Sequence, residues 1–433
     1  MSDTVIVALI GSALVLIVVV PYLRMHRSVE RATVAAQQRA HDYGLHEPVS
    51  IHPVIDPDLC ICAGGCVAVC PEHVLGVRAG QTVTVAPASC VGHGLCERAC
   101  PVDAIKLVFG SERRGVELPR LRENFETNVP GMFIIGELGG MGLIRNAFEQ
   151  ARQCIDGIAR SQQAREHQDL AIVGCGPAGL AAALYARQRG LSFTILERED
   201  VGGAVRHYPR KKIVMTEAVK VPGYGKLEFR EIRKEELIEV WYDIVAKNDI
   251  RVRTGEAVDK VLRLDGGGFA LNTATGEYQA QRVILAIGRR GVPRKLGVPG
   301  EDAPHVAYAL REAEAYQGDR ILVVGGGDSA VEAALALARQ PGTTVTISYR
   351  GETFARLKEK NRTAVMDAMR SGAVSIVWNS QVTAITPDEV MLAVNNEHTV
   401  IAVNRVFVFI GGTLPTPFLR ECGVEIDVKF GTP

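Results

Sequence analysis

The sequence has no excess of charge of either sign: 49 lysines and arginines balance 49 aspartates and glutamates. No basic stripe stands out within that balance, so a nucleic-acid partner has no electrostatic footprint here. The chain also lacks the composition of disorder. Its 433 residues are 47% hydrophobic and 23% charged, enough for sizeable cores in two or three ordinary domains. Cysteine is nearly missing outside one region. Seven of the ten lie between Cys60 and Cys100, which excludes a disulfide framework spread over the chain and marks a local site instead.

What is present is organised around Asp169 to Arg198, which reads as strand, tight turn, helix and second strand. Gly174, Gly176 and Gly179 fall at GxGxxG spacing between an apolar strand and an Ala/Leu-rich helix. The first glycine permits the turn, the second lets a pyrophosphate approach the backbone, and the third lets the helix pack on the strand. The free N–H groups and dipole of the helix N-terminus favour the phosphates. Glu197 closes the second strand, where a carboxylate can accept hydrogen bonds from a ribose. A second unit, Ile321 to Ala338, repeats the pattern with Gly325, Gly327 and Ala330, which argues for a second dinucleotide. Its following strand ends in Tyr349 and Arg350 where an NAD-specific fold would place an acid. Arginine accommodates a 2′-phosphate, and Arg356 and Lys358 could add charge, so NADPH is favoured over NADH.

One long apolar run exists. Thr4 to Leu23 carries no charge, and 13 of its 20 residues are Val, Ile or Leu. At about 1.5 Å per residue such a helix spans roughly 30 Å, the thickness of a bilayer core. A signal peptide is the rival reading, but the run lacks a basic start and a small-residue cleavage site. Arg24, Arg27, Arg31 and Arg39 follow it, so the expectation is a single-pass anchor (1–27) in the inner membrane, with the bulk of the chain cytoplasmic. Residues 28–50 then read as a linker.

Cys60, Cys66, Cys70 and Pro71 recur 30 residues later as Cys90, Cys96, Cys100 and Pro101. The pattern resembles the bacterial two-cluster ferredoxins, in which C-x2-C-x2-C-x3-C-P appears twice and each fourth cysteine ligates the other cluster. The resemblance covers 51–110. It implies one iron–sulfur cluster on Cys60, Cys66 and Cys100 and a second on Cys90, Cys96 and Cys70. Each set is one ligand short, because Ala63 and His93 stand where the second cysteines belong. Either Cys62 and His93 substitute, giving four-iron clusters, or a missing ligand leaves a three-iron cluster. Zinc sites are the competing reading of the same cysteines.

Between Arg113 and Ala159 lie a short strand, a Gly-Glu-Leu-Gly-Gly turn and a helix. This segment resembles the last FAD-contacting piece of thioredoxin-reductase-like flavoproteins, which that family carries at its C-terminus. Here it precedes the first glycine motif. The resemblance implies FAD contacts from Gly136 and from Glu137, which replaces the family's aspartate. From Asp169 onward the chain is similar to the same family, with Gly288 ending the strand RVILAIG that leaves the FAD domain. GGGDSAVEAA and YRG bring it nearest the bacillithiol-disulfide-reductase-like branch. The cysteine pair that thioredoxin reductases carry before the second glycine motif is missing from HVAYALREAEAYQGDR, and Cys154, Cys175 and Cys422 are isolated.

The expected fold is α/β: two Rossmann-like domains for FAD (169–290) and NAD(P)H (291–402), with 403–433 returning into the first. They follow a displaced FAD segment (111–168), a small α+β ferredoxin domain and one transmembrane helix. The expected function is an FAD-dependent NAD(P)H oxidoreductase passing electrons through iron–sulfur clusters to a redox partner, whether ferredoxin, cytochrome or quinone at the membrane. No nucleic acid is expected, and a homodimer is. A low-molecular-weight disulfide reductase and a non-enzymatic redox sensor are the alternatives.

Overall fold

The computed structural model describes residues 11, 13–48, 50–140, 142–160, 168–208, 210, 212–215, 218–229, 231–289, 291, 293–354, 357–395 and 397–431. The chain divides into two compact units, one running to Val116 and taking in the residues from Lys429 on, the other Glu117–Val428.

The first unit begins with helix α1, Val20–Asp42. It overturns the predicted anchor. The helix runs on through Arg24, Arg27, Glu30, Arg31 and Arg39, and among the described residues no helix is long and apolar enough to cross a membrane. Residues 1–10 and 12 of the apolar run lie outside the described residues. The single-pass anchor and the inner-membrane location are therefore withdrawn. The stretch read as a linker belongs largely to this helix.

Behind α1 comes a 30-residue structural repeat. Strand β1 (Ile51–Ile55), helix α2 (Gly65–Ala68) and strand β2 (Leu75–Arg78) are followed by strand β3 (Gln81–Thr84), helix α3 (Leu95–Arg98) and strand β4 (Ile105–Phe109). The pairing crosses the halves. β1 runs antiparallel to β4, Ile51 facing Phe109 and Ile55 facing Ile105, while β2 pairs with β3. The core between them takes Leu75 and Ile105, equivalent positions of the two halves, together with Cys66 and Cys96. Helix α1 packs on the β2–β3 hairpin through buried Thr33, whose Oγ1 accepts a hydrogen bond from the Val77 N–H at 3.2 Å. Glycine at 76 allows this approach, since a Cβ there would stand 2.6 Å from the Thr33 side chain. Glu30 accepts the Ala79 N–H of the hairpin turn at 2.9 Å.

The second unit holds two open sheets, the first mixed and the second parallel. The first contains β5 (Met132–Ile134), β6 (Gln168–Val173), β7 (Phe193–Glu197), β8 (Val252–Thr254), β9 (Val258–Arg263), β10 (Phe269–Thr273) and β11 (Glu277–Leu285). Its order is β8-β7-β6-β11-β10-β9, with β5 also beside β11. The long β11 serves two partners along its length: its first half pairs antiparallel with β10, its second half parallel with β6 and β5. Helix α4 (Ile144–Arg160) buries Ala147, Phe148, Ala151, Cys154, Ile155 and Ile158, a three-and-four spacing that makes one apolar face. That face packs on helix α5 (Pro177–Gln188), whose small Ala and Gly side chains let it lie close to the sheet. Each fully buried Phe or Ile there contributes about 1.5–3 kcal/mol.

The second sheet is formed by β12 (Val306–Ala307), β13 (Arg320–Val324), β14 (Thr344–Ser348), β15 (Val374–Val377) and β19 (Arg405–Val408), in the order β12-β19-β13-β14-β15 and parallel throughout. An antiparallel sheet of β16 (Ser380–Ile385), β17 (Glu389–Val394) and β18 (Glu397–Ala402) covers part of it.

Candidate functional site

Register fixes the first site. Ile134, Leu285, Val173 and Leu196 lie in one row across β5, β11, β6 and β7. The residues that follow them emerge together at the carboxyl edge of the sheet, the place where open α/β sheets bind ligands. They are Gly136 and Glu137, Gly288, Gly174 and Gly176, and Glu197. Glu137 and Gly288 meet there: a Cβ on Gly288 would stand 4.0 Å from Glu137 Oε2. The Gly136 N–H donates to Gln150 Oε1 at 2.7 Å, which ties this turn to α4. Helix α5 starts at Pro177 behind extended Gly176 with no side-chain cap, so its first N–H groups suit an anion. Gly179 is required for packing, since a Cβ would fall 1.8 Å from the Gly174 carbonyl oxygen.

Glu197 does more than the sequence suggests. It is buried, and its two oxygens accept the N–H groups of Cys175 at 2.6 Å and Glu199 at 2.9 Å. The carboxylate therefore braces the glycine loop from within, whatever it also offers a ribose. Cys175 in that loop is buried beside it, and burial pushes its thiol up to about 12. Burial likewise raises Cys154, and takes Cys422 up to about 11. All three are buried, free and unsuited to act as thiolate nucleophiles.

The second glycine loop repeats the arrangement at the edge of the other sheet. The Gly325 N–H donates to Ser348 O at 3.0 Å, and helix α6 (Asp328–Leu337) starts behind extended Gly327 without a side-chain cap. Ala330 is fully buried on it. Tyr349 lies across the loop, so close that a Cβ on Gly326 would meet its ring at 2.3 Å. Arg350 follows and is exposed, as is Lys358, whose N–H donates to Asp328 Oδ1 at 3.1 Å. Arg356 lies outside the described residues.

In the first unit the crossed strands bring the cysteines into two groups. Cys60, Cys62, Cys66 and Cys100 line one cavity; Cys70, Cys90, His93 and Cys96 line another. Each draws donors from both repeat halves. The local geometry is repeated too: the Val74 N–H donates to Cys70 Sγ at 3.4 Å and the Ala104 N–H to Cys100 Sγ at 3.2 Å. Left-handed Gly64 and Gly94 open the two short helices. The halves differ at one step. Cys62 has φ +54°, where its equivalent is Gly92 at +79°, and His93 stands opposite Ala63. Burial pushes the Cys90 thiol up to about 11 and raises Cys96 and Cys62, whereas a backbone hydrogen bond with Thr82 lowers Cys60. Thiolate ligation by these residues releases protons. One set of four thiols and one of three thiols with an imidazole, each with an N–H group aimed at sulfur, fit iron–sulfur clusters.

Comparison with known proteins agrees with both halves of this description. Residues 171–433 match the family model "Pyridine nucleotide-disulphide oxidoreductase", and residues 52–101 match "4Fe-4S dicluster domain". The chain is 32% identical to the bacilliredoxin reductase Bdr of Bacillus subtilis, over 60% of this chain and 82% of that one. It is also 32% identical to a ferredoxin–NADP reductase of Ignicoccus hospitalis, over 60% and 83%. Among solved structures it resembles the bacillithiol disulfide reductase Bdr of Staphylococcus aureus, with TM-score 0.54 and 27% identity over 60% of this chain and 81% of that one.

Proposed function

Because the chain belongs to the pyridine nucleotide-disulphide oxidoreductase family and is an FAD-dependent NAD(P)H oxidoreductase with a 4Fe-4S dicluster domain, we propose that it moves electrons between NADPH, FAD, two iron–sulfur clusters and a separate redox partner. One observation carries this reading: two cavities of four donors each, in a chain whose other three cysteines are buried singly. When bound, FAD takes up a hydride as an electron pair and each cluster carries one electron, which is the reason to join the two modules.

The chain's own residues bind and orient. Gly174, Gly176 and Gly179 hold the FAD pyrophosphate at the α5 N-terminus, Glu197 keeps that loop rigid, and Gly136, Glu137 and Gly288 close over the flavin side. Gly325, Gly327 and Ala330 hold the nicotinamide dinucleotide, with Arg350 on its 2′-phosphate. Arg350→Ala is expected to weaken NADPH selectively, by about 1–3 kcal/mol for a lost charge-assisted hydrogen bond. KM for both nucleotides checks this, and equal losses would remove Arg350 from the site.

Cys62 and His93 complete the two ligand sets. A non-glycine residue at positive φ is uncommon and strained, so a thiol held there by Cys62 supports a ligand role. His93→Cys is expected to keep the iron content and lower one cluster's midpoint potential, since thiolate adds a negative charge that neutral imidazole lacks. His93→Ala should lose iron from that cluster. Unchanged iron and potentials in both variants would leave His93 an ordinary loop residue.

The ferredoxin–NADP reductase among the relatives supports a ferredoxin-type partner. The bacilliredoxin reductase supports a disulfide substrate instead, which NADPH-dependent thiol release would favour. Anaerobic titration with NADPH and NADH, followed by optical and electron paramagnetic resonance spectra, tests the main reading. Flavin bleaching and cluster signals are expected with NADPH; bleaching with silent clusters would defeat it.

A further inference from the structure

Thr82 stands inside the first cysteine group although it is no candidate ligand. It lies on β3, where Gln81 is exposed and Thr82 is buried, and it lines the cavity of Cys60, Cys62, Cys66 and Cys100. Its Oγ1 is 3.7 Å from Cys66 Sγ. The same residue bonds through its backbone and its hydroxyl to Cys60, and through its hydroxyl to Cys62. A hydroxyl buried without a partner costs about 1–3 kcal/mol, a penalty that bonding to sulfur offsets. A cysteine sulfur bound to iron has no proton to give, so the hydroxyl is the donor. It is the one hydroxyl in this cavity, whose other side chains are cysteines and apolar residues such as Ile61, Val102 and Ile105. The other cavity is built differently. Thirty residues before Thr82 the repeat places His52, which does not line the cavity of Cys70, Cys90, His93 and Cys96; among the described residues no hydroxyl lines it. Glu72 lines it, where the first cavity has Val102. One ligand set therefore meets a donor proton and the other a carboxylate.

We propose that Thr82 is a positioning residue of the electron path: its hydroxyl donates to the ligand sulfurs of the first group and raises the midpoint potential of the cluster held there. This rests on the cluster assignment and the reductase reading above. Reduction adds one electron to the cluster and breaks no bond. The added negative charge falls partly on the sulfurs, so an O–H dipole aimed at them favours the reduced state over the oxidised one. Burial keeps bulk water from screening that dipole. Thr82 thus makes this cluster a better electron acceptor than its four ligands alone would, and the second cluster receives no such help.

The test is a mediated redox titration of the holoprotein with dithionite, followed by electron paramagnetic resonance, with iron counted in parallel. The signal of the first cluster is the one that Cys66→Ala removes. Thr82→Val keeps the branched shape and removes the hydroxyl, whereas Thr82→Ser keeps the hydroxyl. In Thr82→Val the reduced-to-oxidised ratio of the first cluster at a fixed potential is expected to fall about three- to tenfold, tenfold being about 59 mV for one electron. Thr82→Ser should stay near the parent, and the second cluster should move in neither variant. A parent-like potential in Thr82→Val, an equal fall in Thr82→Ser, or an equal movement of both clusters would overturn the assignment. If Thr82→Val loses iron, Thr82→Ala replaces it under the same criteria; iron lost from both also overturns the assignment, since a residue that only tunes leaves the cluster in place. NADPH is added to the parent separately. Clusters that dithionite reduces and NADPH does not would overturn the reductase reading, while the titration still decides the part played by Thr82.

Discussion

Cys100→Ala is expected to remove the cluster signal that Cys66→Ala removes, although the two residues lie in different halves of the repeat. Cys70→Ala and Cys96→Ala should both delete the other signal. The reason is the crossed lining of the cavities, Cys100 with Cys60, Cys62 and Cys66, and Cys70 with Cys90, His93 and Cys96. If both clusters are of the four-iron type, each variant should fall from about eight irons to about four. Iron and sulfide analysis with resonance spectra of the singly substituted proteins checks the pairing. If Cys100→Ala instead deletes the signal lost in Cys96→Ala, each half holds its own cluster and the crossed assignment is wrong.

The second large effect is expected at Gly179. A Cβ there would press within 1.8 Å of the Gly174 carbonyl oxygen and 2.9 Å of its carbon, atoms of the backbone that cannot swing aside. Gly179→Ala therefore forces α5 away from β6 and distorts the loop that faces the pyrophosphate. The cost is about 3 kcal/mol or more, and the protein should emerge without flavin. Gly276→Ala, in the turn before β11 and outside the glycine loop, is the contrast, because a Cβ there meets nothing within 4 Å. Flavin-to-protein ratio after desalting, with the thermal midpoint, separates the two. Equal flavin retention in both would remove Gly179 from its packing role.

The parts legible in the sequence were those where local chemistry leaves few choices. Two glycine loops between apolar strands and Ala-rich helices announced two Rossmann-like α/β domains, since only small residues fit where helix meets strand. The 30-residue cysteine spacing survived as a repeat of strands and helices down to matching N–H···S bonds at Cys70 and Cys100. Met132–Ile134 pairs with β11, a strand-level partner that the reading of 111–168 as a displaced FAD segment left unnamed. Long-range partners were illegible. The run Thr4 to Leu23 reads as a membrane span by its own hydropathy, and nothing in it reveals a helix that runs on to Asp42 and spends Glu30, Thr33 and Gln37 on the β2–β3 hairpin. The same blindness hid Glu197's service to the N–H of Cys175, because a ribose-binding acid and a loop brace occupy the same position in the pattern.

The crossed pairing of the strands has a consequence for how the chain is made. β2 and β3 are neighbours in sequence and can close within microseconds, as hairpins do. β1 has no such choice: it must hold open until β4 arrives, which means closing a loop of roughly fifty residues. On the ribosome, Cys60, Cys62 and Cys66 emerge first and still cannot form a complete cavity until Cys100 has been synthesised. Neither half is therefore a vessel for iron and sulfide on its own, and the module should mature as one event, both clusters inserted after the second repeat has folded back on the first.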